Sequence, residues 1–344
     1  MKKDSLISQE IDRRKFLKVA AALSAIAYLP SCGQSAKSDK WGEVLPTRKL
    51  GNTGLDVTMF ALGGGPPSFN YGNEGTELIV EAAFKGGCRY FETARSYSRG
   101  VSEEVYGRVL EPYRNEIILS TKSRAMDGET LTRELDQSLE AFRTSYIDIY
   151  FMHTVNTIDL VKQKFENGVW DAMLKAKREG KIRHLGFSGC ADHRVNSYTL
   201  DLNPPELEVM LMPMNVIDTI QDSFILNALP KATSKGIGAI AMKPLGGGAM
   251  TGAEITWGRG NRGDLRPRVI PDVISMQEAQ HFVYSLPIAA ATFGCTTVSQ
   301  VEESIALAKS FRQLDEAKQK ELIERVTDIS LNNKLEHYKV GFPL

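Results

Sequence analysis

From Val57 onward, short apolar runs alternate with longer segments whose apolar residues recur at helical spacing. The runs are Val57–Leu62, Arg89–Glu92, Ile117–Thr121, Ile147–Met152, Ile182–Phe187, Glu208–Met212, Ile237–Met242 and Ile288–Thr292. Between them lie segments of helical character, among them 77–85, 102–110, 130–142, 169–179 and 301–309, with Gly86-Gly87 and Gly180 at helix ends. Nearly continuous apolar runs, in place of strict alternation, mark strands buried on both faces, as in a parallel sheet covered by helices. Eight such units predict a single-domain α/β fold, the (β/α)₈ or TIM barrel, over residues 47–344 with a helical C-terminal tail.

The first 46 residues carry a different pattern. Asp12-Arg13-Arg14-Lys15-Phe16-Leu17-Lys18 precedes an apolar stretch from Val19 to Leu29. A membrane span needs about 18 or more apolar residues, so this stretch has the length of a signal-peptide core instead. The Arg13-Arg14 pair resembles the twin-arginine export motif, with Asp12 where Ser or Thr is usual. Leu29-Pro30-Ser31-Cys32-Gly33 resembles a lipoprotein processing site with Cys32 as the lipidated residue. The reading is therefore a signal peptide over 1–32 and a polar, flexible tether over 33–46. It implies the twin-arginine export machinery as a partner, membrane attachment only through a lipid on Cys32, and a location outside the cytoplasm, periplasmic or anchored at the cell envelope.

Composition narrows the chemistry. The 344 residues carry 42 Lys+Arg and 42 Asp+Glu, leaving no basic excess of the kind that nucleic-acid binding requires. Cys32, Cys88, Cys190 and Cys295 form no C-x-x-C pair and have no clustered histidines, so no metal site is expected. Barrel active sites are built from the C-terminal ends of strands, and four polar residues stand there: Glu92, Lys122, His153 and Ser188. They are spaced 30, 31 and 35 residues apart, one strand-helix unit each, so they converge on one mouth.

The segments around these positions resemble the aldo-keto reductases. Phe91-Glu92-Thr93-Ala94-Arg95-Ser96-Tyr97, Ser120-Thr121-Lys122 and Asp148-Ile149-Tyr150-Phe151-Met152-His153 match the regions of the family's catalytic tetrad. Arg48–Leu55, Gly180–Ser188 and Met242–Gly248 match further motifs, and the likeness covers about residues 47–312. The resemblance implies carbonyl reduction or alcohol oxidation, with Tyr97 giving a proton to the developing alkoxide. Lys122 would ease that transfer by its charge, the carboxylate of Glu92 would offset the buried ammonium, and His153 would orient the carbonyl oxygen. The family usually has Asp where Glu92 stands, so the reach grows by one methylene.

The same resemblance implies a nicotinamide cofactor, NADP or NAD. Ser188 and Gly189 fall at the nicotinamide-amide positions, although Gly189 replaces a common Asn and so removes one side-chain contact. Met242 takes the place of a stacking aromatic residue, and Leu211 that of a glutamine. Lys243, Pro244, Leu245 and Gly246 would approach the pyrophosphate, and the turn carrying Gly294, Thr296, Gln300 and Glu303 would meet the adenosine end. No Lys or Arg occurs from Val269 to Ala308 to clamp a 2′-phosphate, whereas Arg259, Arg262, Arg266 and Arg268 precede it.

The expected protein is a monomeric oxidoreductase acting on a small carbonyl or alcohol. A second reading stays open, because Glu92, Gly189, Leu211 and Met242 all depart from the family pattern: a catalytically weakened barrel that binds a nicotinamide nucleotide or another ligand as a sensor. A sugar-processing barrel would need a second carboxylate at a strand end, and only Glu92 is placed there.

Overall fold

A computed structural model describes residues 37–65, 72–252, 268–330 and 335–339. Two antiparallel hairpins come first: β1 (Lys37–Asp39) with β2 (Gly42–Val44), then β3 (Thr47–Lys49) with β4 (Asp56–Thr58). Eight parallel strands follow and close on themselves: β5 (Phe60–Gly63), β6 (Tyr90–Glu92), β7 (Ile118–Ser123), β8 (Ile147–His153), β9 (Ile182–Ser188), β10 (Leu207–Pro213), β11 (Gly238–Met242) and β12 (Ala290–Phe293). Because β12 pairs with β5, the sheet has no exposed edge. Around it stand α1 (Gly72–Lys85), α2 (Val101–Leu110), α3 (Gly128–Ala141), α4 (Ile158–Glu166), α5 (Val169–Arg178), α6 (His193–Asp201), α7 (Phe224–Ser234), α8 (Met276–Tyr284), α9 (Val298–Lys309) and α10 (Glu316–Ser330). The (β/α)₈ barrel expected from the apolar runs is the fold observed.

Helix starts follow from short polar side chains. Asp127, Thr157, Asp192, Ser223, Ser275 and Thr297 each accept a hydrogen bond from a backbone N–H in the first turn, satisfying a donor the helix itself leaves free. Three local readings change. The first run divides, with Val57 and Thr58 in hairpin strand β4 and Phe60 onward in the barrel, because the backbone turns at Met59, whose N–H bonds Pro46. The stretch 154–168, outside the segments given helical character above, contains α4, which buries Leu160 and Val161. The tether expected over 33–46 is ordered from Lys37: Asp39 pairs with buried Arg89, and Trp41 packs edge-on against Phe84 and Tyr113. The signal segment and Cys32 lie outside the described residues, as do Arg259, Arg262 and Arg266.

Strand periodicity explains how the barrel presents its polar residues. Alternate residues of a strand share a face, and Tyr90, Ile149, Phe151, Val209, Leu211, Ile240 and Met242 form one buried cluster with Leu50 and Val57. Glu92 stands two residues after Tyr90, and His153 two after Phe151, so each continues this inward row at the strand's C-terminal end. Lys122 likewise follows Ser120, whose hydroxyl donates to the Tyr90 hydroxyl at 3.2 Å. Gly186 makes room within this layer, since a Cβ there would lie 2.6 Å from the Phe151 ring. The opposite end is stopped by the β3–β4 hairpin: a Cβ on Gly51 would lie 2.3 Å from the backbone nitrogen of Gly238, where β11 begins. One end of the barrel is thus plugged, and the polar row crowns the other.

Candidate active site

Lys122 is the centre of the polar layer. It is 1% exposed, and its ammonium contacts the Glu92 carboxylate and donates to the Thr93 carbonyl at 2.7 Å. The longer reach of Glu92 therefore delivers a direct ion pair. The same ammonium lies over the Tyr97 ring, 4.6 Å from its centroid. On the other side, the His153 ring meets Tyr97 edge-on, with centroids 6.3 Å apart and planes at 87°. Phenol, amine, carboxylate and imidazole come from three separate segments and meet at one strand-end layer.

Tyr97 is the member not carried by a strand. It opens a turn (Tyr97–Gly100) in which Ser98 and Arg99 adopt left-handed φ of 47° and 57°. Left-handed backbone costs about 1–2 kcal/mol for each non-glycine residue, so the surroundings must hold this turn. Arg95 does so. Its guanidinium pairs at 2.7 Å with Glu103, which is fully buried and also accepts from Thr121 and Ser138. A Cβ on Gly100 would fall 2.2 Å from that guanidinium, so only glycine fits beside it. The motif containing Arg95 was visible in the sequence, but Glu103 sits in an ordinary amphipathic helix and gave no signal.

Burial and charge set the ionisation of the group. Burial pushes the Tyr97 phenol up to about 12, with Arg124 the opposing cation and Cys190 adding to the rise. Sequence reasoning assigned the opposing role to Lys122. Burial, then the charges of Lys243 and Arg124, draw Lys122 below the ordinary lysine range, while the touching Glu92 carboxylate works against that shift. Burial, followed by Lys122, Arg124, Lys243 and Lys164, holds His153 well below the usual histidine range, so its ring is neutral near pH 7. Its Nδ1 is buried without a hydrogen-bond partner among the described residues. Protonating His153 thus requires pH well under its ordinary value. The acid side of the kcat/KM profile is expected to stay flat from about pH 8 down to about pH 6. A loss of activity centred near pH 6.5 would contradict a neutral His153.

The cofactor candidates occupy neighbouring strand ends. Ser188 lies beside His153 in the β8–β9 register and beside Leu211 in the β9–β10 register. Met242 ends β11, and the turn after it runs through Lys243, Pro244, Leu245 and Gly246. Gly294, Thr296, Gln300 and Glu303 lie between β12 and the first turns of α9, where Gln300 accepts from the Thr296 N–H at 2.8 Å.

A model of the aldo/keto reductase family matches residues 60–327. The chain belongs to this family. It is 28% identical to L-galactose dehydrogenase of Arabidopsis thaliana over 289 residues, which span 78% of this chain and 89% of that protein. It is 26% identical to L-glyceraldehyde 3-phosphate reductase of Escherichia coli (strain K12) over 240 residues, 63% of this chain and 66% of that one. Among solved structures, the holo form of an aldo-keto reductase from Bacillus halodurans superposes with a TM-score of 0.65 at 21% identity, covering 82% of this chain and 96% of the other. This aldo-keto reductase is accordingly an oxidoreductase of carbonyl–alcohol chemistry.

Aldo-keto reductases use a nicotinamide nucleotide, and two features of this chain fit one. Gly246, Gly247 and Gly248, in the turn that follows β11, all have left-handed φ, of 61°, 66° and 92°, a run of backbone without side chains that an anionic group can approach closely. At Gly189, the missing asparagine is offset by a residue the sequence did not single out. Asn196 of α6 donates to the Gly189 carbonyl at 3.3 Å, and its Oδ1 is buried without a partner among the described residues. A Cβ on Gly189 would lie 2.3 Å from that oxygen, so an amide fills the space a side chain at 189 would take.

Proposed function

We propose that this aldo-keto reductase interconverts a small aldehyde or ketone and the corresponding alcohol, using NADP(H) or NAD(H), with Tyr97 as proton donor. The observation that carries the reading is the meeting of Tyr97, Lys122, Glu92 and His153 at the unplugged end of the barrel. When bound, the nicotinamide supplies the hydride. Tyr97 hands its proton to the carbonyl oxygen as charge develops there. The ring of His153, neutral near pH 7, offers one N–H to the same oxygen and so orients it. Lys122 places positive charge over the Tyr97 ring, and Glu92 keeps that charge in place. The relatives' names, a dehydrogenase and a reductase, suit either direction of this reaction.

The proposal also places the barrel outside the cytoplasm, supported by Arg13-Arg14 and the lipoprotein-like segment ending at Cys32. Export of a folded chain lets the nucleotide be loaded beforehand.

The test is transfer of label. The full chain is incubated with NADPH or NADH deuterated at the nicotinamide C4 and with a panel of aldehydes. Deuterium on the carbinol carbon of the product is the expected result. Nucleotide binding without transfer to any aldehyde or ketone would overturn the reading.

A further inference from the structure

The turn after Lys122 is locked from beneath. The Ser123 hydroxyl donates to the Glu134 carboxylate and accepts from the Ala125 N–H at 2.9 Å. Lys164, 1% exposed, reaches from α4 and donates to the carbonyls of Arg124 and Ala125 at 3.1 and 2.5 Å. Among the described residues no carboxylate pairs with Lys164, and burial pulls its ammonium down to about 8. Placing an unpaired ammonium in such a setting is unfavourable, and what it gains is the fixed backbone of Arg124 and Ala125.

What this fixed turn presents is a guanidinium without a partner. Arg124 is exposed, and its side chain makes no hydrogen bond or ion pair among the described residues. Arg89, Arg95 and Arg114, by contrast, each pair with a carboxylate. Arg124 follows Lys122 by two residues, at the C-terminal end of β7, on the crowned end of the barrel. Its charge bears on Tyr97, Lys122 and His153. The charges acting on His153 are all cationic, and Glu92, the carboxylate within the layer, is committed to Lys122. Cations thus predominate around His153, and a fork of N–H donors carried on a fixed stretch of backbone at the rim matches a planar anion.

We infer that Arg124 anchors an anionic group, a carboxylate or a phosphate, carried by the substrate beside its reacting carbonyl. This rests on the carbonyl-reducing reading above. It makes the preferred substrate an oxo-acid or a phosphorylated aldehyde in place of a neutral one, and makes Arg124 a determinant of specificity. The fixed backbone confines the freedom lost on binding to that of the side chain itself.

The test compares 4-carboxybenzaldehyde with benzaldehyde, whose carbonyl is of similar electrophilicity because an ionised carboxylate withdraws little charge from the ring, using the full chain and saturating nucleotide. Wild type is expected to favour the carboxylated aldehyde by about tenfold or more in kcat/KM, the scale of one charge-assisted hydrogen bond. Arg124→Gln is expected to bring that ratio close to one, chiefly through KM. Arg124→Lys, which keeps charge but not the fork, is expected to fall between. A wild-type ratio at or below one, or a ratio that Arg124→Gln leaves in place, overturns the proposal. So does a preserved ratio accompanied by a loss of NADPH affinity in a fluorescence titration, since the guanidinium would then serve the nucleotide. Calorimetric titration of 4-carboxybenzaldehyde, which needs no turnover, separates this proposal from the reductase reading. Binding about tenfold weaker in Arg124→Gln supports the anchor even if no aldehyde is reduced, and equal binding refutes it even if aldehydes are.

Discussion

Replacing Tyr97 with Phe is expected to lower kcat for carbonyl reduction by about a thousandfold, within the range of about 10²- to 10⁴-fold that a positioned proton donor contributes. The change removes one oxygen and leaves the packing. The Phe ring keeps its place under the Lys122 ammonium and against the edge of His153, because both contacts are made with the ring itself. The turn holding it is tied down by Arg95 and Glu103, neither of which touches the hydroxyl through the contacts that secure the turn. Stability and nucleotide affinity should therefore stay near wild type, and KM should move less than kcat. Single-turnover measurement with saturating nucleotide isolates the chemical step. A loss of less than about tenfold would mean that another group, with the Lys122 ammonium over the ring the nearest alternative, donates the proton. The high phenol pKa gives the opposite direction a sign. With Tyr97 pushed up to about 12, alcohol oxidation needs a phenolate that becomes more abundant as pH rises, whereas reduction finds the proton in place throughout the neutral range.

The polar layer at the strand ends was legible because it obeys two simple periods. Each strand-helix unit spans about 30 residues, which separates Glu92, Lys122 and His153 in the sequence, and the strand period of two points each of them inward above Tyr90, Ser120 and Phe151. Contacts that cross between units left no such trace. Asn196 reaches back to Gly189 from a helix, and only the fold shows that its amide fills the space a side chain at 189 would take. Arg124 looked like one exposed arginine among many until Lys164, 40 residues further on, proved to hold its carbonyl from below. The β1–β2 hairpin was hidden for a related reason. A polar stretch is held to the barrel by two side chains, Asp39 and Trp41, too few to generate a pattern. The divided first run and helix α4 show the same limit, since a turn at one residue or three buried positions in nine carry little periodic signal.

Lys122→Met is expected to be the most destabilising change in the layer. Glu92 is 5% exposed, and its partner in the structure is the Lys122 ammonium. Removing one member of a buried ion pair typically costs about 3–5 kcal/mol, because the remaining charge is left in a poorly solvating environment. Glu92 would respond by taking up a proton, so in this variant its folded-state pKa would rise above the unfolded value of about 4.3. A raised carboxyl pKa means that the folded state binds more protons than the unfolded state, and stability then falls as pH rises through that window. The deficit relative to wild type should therefore be largest near neutral pH and shrink toward about pH 4. Lys122→Met combined with Glu92→Leu removes both charges and should recover most of the lost stability, since apolar replacement of a buried pair is often close to neutral. Urea denaturation of the two single variants and the double variant at several pH values measures each term. If Lys122→Met costs less than about 1 kcal/mol, or if the double variant is as unstable as the sum of the singles, the ion pair does not hold the layer together. The double variant would still fail as a catalyst, because the cation over Tyr97 is gone. Stability restored without activity would separate the role of Glu92, which is to keep an ammonium where burial disfavours it, from the role of the ammonium itself.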